Sequence, residues 1–446
     1  MILFLSALIP FGFYLGIPST LWNFDGVACA AALELGQPAH FFHADHLLYA
    51  FFGYGFWKLI GVHLGLVRAL PSLQIFTSLL SVLGLIGVFR LVRSFLKDEV
   101  ISLLLTLTLS VTAAFWVWSI EAQVYALGFL ALAWATFVLT DHQIHNKYIW
   151  VGLLHAGAVL GHLMHLLWVI PALYWMWGVP KAVRRYVTTL FLGTVLPYTW
   201  VFASVIAPGR DPAHLLLWLK GSAGLTADRS WAWHSAGWMG PWIWLKSTAP
   251  ALWGIFWPYG STRVVPWMWA MAIISMALFV GVLACSLRHW SDQVARFAWL
   301  WIGVYGLFLS TWEPATLCYR MTDIIPLGIL LALGLRPLTR PRQLSIVSLL
   351  LCSTLMLNVF TRILPMHDAT QNTAYQETLS LSKINPPNSL YIVSGGLSLI
   401  YLPYFAGREA WNAGSFDPKW LASEIARQKR TRPVYLQKGT AWQKAV

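Results

Sequence analysis

Residues 70–92, LPSLQIFTSLLSVLGLIGVFRLV, carry a single charge, Arg90, and are long enough to cross about 30 Å of hydrocarbon as a helix. Comparable runs recur through the first 361 positions. Across 446 residues the chain is 58% hydrophobic and 11% charged, against roughly 25% charged residues in a soluble domain. Lipid, not water, is its main solvent.

Eleven spans are expected, near 1–18, 70–92, 100–117, 123–140, 148–161, 164–178, 187–206, 265–286, 296–311, 318–335 and 343–361. The N-terminal MILFLSALIPFGFYLG has neither a basic leader nor a small-residue cleavage site, so it is read as a retained first span starting on the cytoplasmic side. Basic residues then fall in the loops assigned to the inside: Arg90, Arg93, Lys97, Lys147, Lys181, Arg184, Arg185, Arg288, Arg296, Arg336, Arg340 and Arg342. The short loops assigned to the outside hold Arg320 alone, as the positive-inside rule requires. This blockwise placement accounts for the excess of 30 Lys and Arg over 17 Asp and Glu without nucleic acid as a partner. Segment 241–260, PWIWLKSTAPALWGIFWPYG, is read as interfacial or re-entrant, because counting it as a span would move the later basic loops outside.

The fold class is therefore an all-α polytopic membrane protein of about eleven transmembrane helices, residues 1–361, with outer loops at 19–69 and 207–264. Residues 362–446 form a small extracytoplasmic α/β domain: SLYIVSG and PVYLQ read as strands, GLSLIYLPYFAG as a helix or turn, and KWLASEIARQKR as an amphipathic helix. Cys29, Cys285, Cys318 and Cys352 stand alone in apolar surroundings, with neither a disulfide framework nor zinc-ligand spacing.

Given this topology, Asp25, Glu34, His40, His43, Asp45, His46, Glu121, His162, His165, Glu313, Arg320 and Asp323 gather on the outer side. Ionisable groups at membrane depth are costly and face a protein interior or a watery cavity, so the gathering points to a site opening there. Asp25 is either a helix cap or a general base beside an acceptor hydroxyl. Glu34 reads as a solvated helix face. His40, His43 and His46, spaced three apart, read as phosphate or interfacial contacts, with metal ligation the alternative. Glu121 is a loop-tip carboxylate, or one whose pKa burial raises. His162 and His165 are interhelical glue or phosphate contacts, and Arg320 either binds phosphate or pairs with Glu313.

Several segments resemble, in order, the GT-C superfamily of polytopic glycosyltransferases. FDGVACAAALELG followed by HADHLLYAFFGYGFW resembles the family's acidic first loop and its downstream His-rich segment, EAQVYAL a second outer-loop Glu, GHLMHLL a His-containing hairpin, and WEP a later loop motif. The likeness is to bacterial members of the protein O-mannosyltransferase-like and aminoarabinose transferase-like kind. It implies a site on the extracytoplasmic face of a bacterial inner membrane and inverting transfer from a polyprenyl-phosphate sugar to a glycan, lipid or protein acceptor. By the same resemblance, Asp25 and Glu121 are catalytic, and His43, His46, His162, His165, Glu313 and Arg320 bind substrate. The one cofactor entertained is a divalent ion, Mg or Mn, with Asp25, Glu121 and His40 as candidate ligands. A transporter or flippase is the rival class; it would call for charges in mid-span, which are scarce here. A noncatalytic scaffold would not need acids in two outer loops.

Overall fold

The computed structural model describes residues 2–36, 41–209, 211, 213–222, 238–256, 265–438 and 441–444. Among the described residues, six helices are long and apolar enough to cross a membrane: Ala69–Leu96, Pro180–Ile206, Pro266–His289, Gln293–Thr311, Leu317–Leu335 and Arg340–His367. A seventh crossing is counted if Glu99–Ser110 and Ala113–Ile120, bent by 71° at their junction, form one broken span. The shorter apolar helices Ile2–Gly16, Tyr125–Thr140 and Leu163–Trp175, together with Lys147–Gly161, occupy the remaining expected places. Eleven helical segments thus stand where eleven spans were expected, but length and apolarity single out only six or seven of them. The chain is an integral membrane protein. Large apolar side chains such as Trp177 (85% exposed) and Leu307 (73% exposed) point outward, an arrangement lipid tolerates and water does not.

Helix Ala69–Leu96 is the central strut, packed against Ile2–Gly16, Glu99–Ser110, Tyr125–Thr140 and Ile324–Leu335. The break after Ser110 frees backbone carbonyls in apolar surroundings, where each must find a donor. Tyr14 donates its hydroxyl to the Ser110 carbonyl at 2.8 Å, and Asn358 Nδ2 donates to the Val111 carbonyl at 2.7 Å. The same Asn358 amide donates to the Leu252 carbonyl at 2.9 Å, while its Oδ1 accepts from Gly254 N–H at 2.6 Å. One buried side chain therefore ties together the broken span, helix Arg340–Asn358 and the end of helix Met239–Leu252.

The segment read as re-entrant holds helix Met239–Leu252 and a short 3-10 turn, Gly254–Phe256; residues 257–260 of that segment, and 223–237 with Trp231 and Trp233, lie outside the described residues. The helix is too short to count among the crossing helices.

The C-terminal segment folds around a sheet of β1 (Leu390–Val393), β2 (Glu409–Asn412), β3 (Val434–Lys438) and β4 (Ala441–Lys444), in the order β2-β1-β3-β4. β1 runs parallel to β2 and β3, and β4 closes an antiparallel hairpin on β3. Helix Pro418–Gln428 covers Leu390, Ile392 and Val434 with Leu421 and Ile425, and Leu402 of helix Ser398–Ala406 packs on the other face against Tyr391 and Val393. β2 and β4 were not expected, because EAWN and AWQK are too short to show alternation.

Replacing Asn358 with Ala strands three buried backbone groups, at about 1–3 kcal/mol each. Thermal unfolding in detergent is expected to show a far larger loss than for Leu349→Ala on the exposed face of the same helix; equal losses would remove Asn358 from this role.

Candidate functional site

The loop end of the bundle is organised by Asn23. Asn is a favoured helix cap, and its Oδ1 accepts the Gly26 N–H at 2.8 Å to start helix Phe24–Leu35. Its other side-chain atom, Nδ2, donates to Glu121 Oε2 at 3.0 Å. Gly26 permits this approach: a Cβ there would sit 2.7 Å from the Ala122 carbonyl oxygen. Asn23, not Asp25, is therefore the cap, and Asp25 lies in the first turn, where the helix N-terminus favours a carboxylate.

Glu121 is not a loop-tip surface group, since it is 1% exposed. Burial pushes its carboxyl up to about 7, and hydrogen bonds from Ser19 and Asn23 and the charge of Arg362 hold it from rising further. Asp25 differs in keeping solvent access. Desolvation by the surrounding protein, with the neighbouring Glu313 charge, raises its pKa above the usual carboxylate range.

Glu313 adopts a left-handed conformation (φ 42°), costly for a residue other than glycine. It is held there by Thr316, whose hydroxyl donates to Oε2 at 2.8 Å and whose N–H donates to the Glu313 carbonyl at 3.0 Å.

Tyr125 lies between Asp25 and a groove. It lies within electrostatic reach of Asp25, its ring stacks on His162 (5.1 Å), and it meets Tyr319 edge-on (5.5 Å). The helices forming this junction come close because Gly161 has no side chain; a Cβ there would lie 2.9 Å from the Gly128 nitrogen. The His162 Nδ1 accepts the Met164 N–H at 3.2 Å, which leaves the ring proton on Nε2, and burial lowers its pKa to about 3. His162, Tyr319 and Asp45 rim a groove of about 350 Å³ whose walls include Leu166, Ile170, Phe308 and Trp312. It is polar at one end and apolar along its length.

Around Asp45 the chain makes a turn, so His43 and His46 do not share a helix face. His43 and His46 instead face each other across a short bridge, with rings stacked at 4.6 Å, and His43 lies 3.7 Å from Asp45. Burial holds His46 well below the usual imidazole range, with the charges of His43 and His162 acting in the same direction. His40 lies outside the described residues. Among those described, no group of three His, Cys, Asp or Glu side chains could hold a metal ion, so Asp25 and Glu121 do not form such a set there.

Arg320 and Glu34 occupy places other than those expected, and His165 takes the interhelical one of its two expected places. Arg320 pairs with Asp323 (2.5 Å), not Glu313; it also donates to the Trp244 carbonyl, Ser247 and Thr248, and stacks on the Trp244 ring at 4.6 Å. An i,i+3 partner within one helical turn outcompetes a carboxylate held away by its own backbone. His165 is fully buried and bonds Tyr305 at 3.2 Å, so it joins helices and does not line the groove. Glu34 is not a solvated face: it accepts from Tyr404 (2.8 Å), Arg68 Nε (3.0 Å) and Ala69 N–H (2.8 Å).

Reading the residues one by one passed over Asn23, Tyr125, Tyr319 and Arg362. Asn23 was the most detectable, as a preferred cap just ahead of an acid-bearing helix. Arg362 reads as a flanking cation and is revealed only by the fold, which brings its charge to Glu121.

No protein-family model and no curated protein matches the chain. Solved structures do. ArnT from Cupriavidus metallidurans bound to undecaprenyl phosphate is 12% identical, with a TM-score of 0.60 over 97% of this chain and 92% of its own. The Archaeoglobus fulgidus oligosaccharyltransferase in complex with zinc and sulfate is 13% identical, with a TM-score of 0.56 over 98% of this chain and 68% of its own. The archaeal oligosaccharyltransferase AglB from A. fulgidus, with an inhibitory peptide and a dolichol-phosphate, is 12% identical, with a TM-score of 0.55 over 98% of this chain and 69% of its own. These neighbours are GT-C glycosyltransferases, and the chain has their fold along nearly its whole length.

Proposed function

We propose that this protein is a membrane glycosyltransferase that moves a sugar from a polyprenyl-phosphate donor to an extracytoplasmic acceptor with inversion at the anomeric carbon. The observation that carries the reading is a solvent-accessible Asp25 of raised pKa, joined through Tyr125 to an apolar groove with a polar rim, on a GT-C fold. The printed descriptions of the neighbours support the donor class, since one is bound to undecaprenyl phosphate and another to dolichol-phosphate.

In this mechanism the prenyl chain lies along Leu166, Ile170 and Phe308, and the phosphate meets the His162 Nε2–H and the Tyr319 hydroxyl at the rim. Asp25 takes the acceptor hydroxyl proton as that oxygen attacks the anomeric carbon; the bond to the phosphate oxygen breaks and its electron pair leaves with the lipid phosphate. Glu121 is too buried to meet the acceptor and acts through Asn23, holding the helix that carries Asp25. Glu313 acts on Asp25 by charge, keeping it basic enough to accept the proton. His43 and His46 line the approach, and Arg320 anchors helix Met239–Leu252.

Asp25→Asn is expected to lower turnover with a matched polyprenyl-phosphate sugar by about 10²–10⁴-fold. The wild-type acid limb of kcat/KM should lie above the ordinary carboxylate range, because the base must be ionised and its pKa is raised. Full turnover in the variant removes Asp25 as base, and no turnover by wild type across a donor panel redirects the reading to transport.

Filling the groove by Leu166→Trp should raise the donor KM about tenfold for long prenyl chains with kcat nearly unchanged. An unchanged KM would place the lipid elsewhere.

Glu121 gives a test independent of activity. Its folded pKa of about 7 exceeds the ordinary 4.5, so its contribution to stability is full below pH 4.5 and is lost as pH rises through about 7. Glu121→Gln, which cannot ionise, should melt several degrees above wild type at pH 8 and together with it at pH 4; a gap independent of pH would contradict the burial argument.

A further inference from the structure

Two groups of contacts outside the candidate site close on the segment that carries Asp25. At its start, Tyr401 donates its hydroxyl to the Trp22 carbonyl, one residue before the cap Asn23. Asn372 Nδ2 donates to the Thr20 carbonyl at 2.8 Å and to the Tyr401 hydroxyl at 3.2 Å. The Trp22 ring packs against Phe405 (4.8 Å) and edge-on to Tyr375 (5.0 Å). At the far end, Tyr404 donates to Glu34, and Arg68 joins them, its guanidinium 4.0 Å from the Tyr404 ring and its Nη2 donating to the Tyr404 carbonyl at 3.0 Å.

We infer that helix Ser398–Ala406 of the C-terminal segment is a positioning element for helix Phe24–Leu35, with Tyr401 and Tyr404 as its positioning residues. The inference rests on the function proposed above and assigns the C-terminal segment a part in it.

Tyr401 fixes the peptide plane entering Asn23. That plane determines whether one Asn23 side chain can cap the helix through Oδ1 and reach Glu121 through Nδ2 at the same time. Tyr404 holds Glu34, near the helix's other end, so that Asp25 lies between two fixed points. Docking for stability alone would be served by apolar contact; these hydroxyls bond a carbonyl and a carboxylate flanking the acidic helix. A displacement of about 1 Å at a reacting group can cost up to about 10²-fold in rate, so loss of either hydroxyl should be felt at Asp25.

The test compares the full-length wild type, Tyr401→Phe and Tyr404→Phe, since Phe keeps the ring packing and removes only the hydroxyl. With a working donor, kcat is expected to fall about tenfold in each variant while donor KM stays within twofold. Amide exchange followed by mass spectrometry should rise several-fold across 24–36 and remain at the wild-type rate in helix Tyr125–Thr140. Wild-type kcat with a lowered melting temperature would mean that the contacts only stabilise, and would overturn the inference. If wild type transfers no sugar from any donor, the proposed function has failed separately, and the exchange measurement still decides: unchanged protection across 24–36 overturns the positioning role, and a local rise sustains it.

Discussion

A helix that breaks inside lipid must find donors for the carbonyls it frees, and the break after Ser110 makes the rest of this architecture necessary. Tyr14 and Asn358 meet that demand from opposite ends of the sequence, so the first span and the last long helix must both lie against the break. The 71° bend then turns Ala113–Ile120 so that it delivers Glu121 to the loop end of the bundle. Without the break, the same residues would run on as a straight span and Glu121 would not meet Asn23. A backbone constraint therefore places the most deeply buried acid of the site.

Electrostatics divides the charged groups into those the fold uses and those left for chemistry. Arg320 has Asp323, two hydroxyls and a carbonyl around it in a buried position. Removing one partner of such a pair costs about 3–5 kcal/mol, because the other charge stays buried. That expense suits an anchor for helix Met239–Leu252 better than a ligand that must bind and release phosphate in each cycle. At the groove, burial keeps His162 neutral, and under the proposed function a neutral imidazole with its proton on Nε2 would donate to a phosphate without holding it as tightly as a fixed cation.

Much of the fold was readable because lipid imposes a coarse rule, that apolar runs of a certain length become helices, and each expected span from 1–18 to 343–361 has a helix in its place. The same rule does not say which helices cross, and 100–117 read as one straight span conceals the break after Ser110. At the site, the sequence marked Asp25, Glu121, His162 and Glu313 by their place in the loops, and the fold brings these four to one end. It could not say that Glu34 meets Tyr404, because 370 positions separate them. Nor could it choose between Glu313 and Asp323 for Arg320, since that choice depends on a helical turn and on a left-handed backbone at Glu313.

Asp25 and Glu121 look equivalent as letters in two loops, and their surroundings separate them. Both are raised by desolvation, but Asp25 remains open to solvent while Glu121 is sealed beneath Asn23. A base that must take a proton from an incoming hydroxyl needs access first and a suitable pKa second. Only Asp25 has both. Glu121 has instead a fixed donor in Asn23, an amide whose second function is to begin the helix on which Asp25 rides, so a change of charge on Glu121 acts on Asp25 through backbone geometry. Access, rather than acidity, is what distinguishes Asp25 from Glu121.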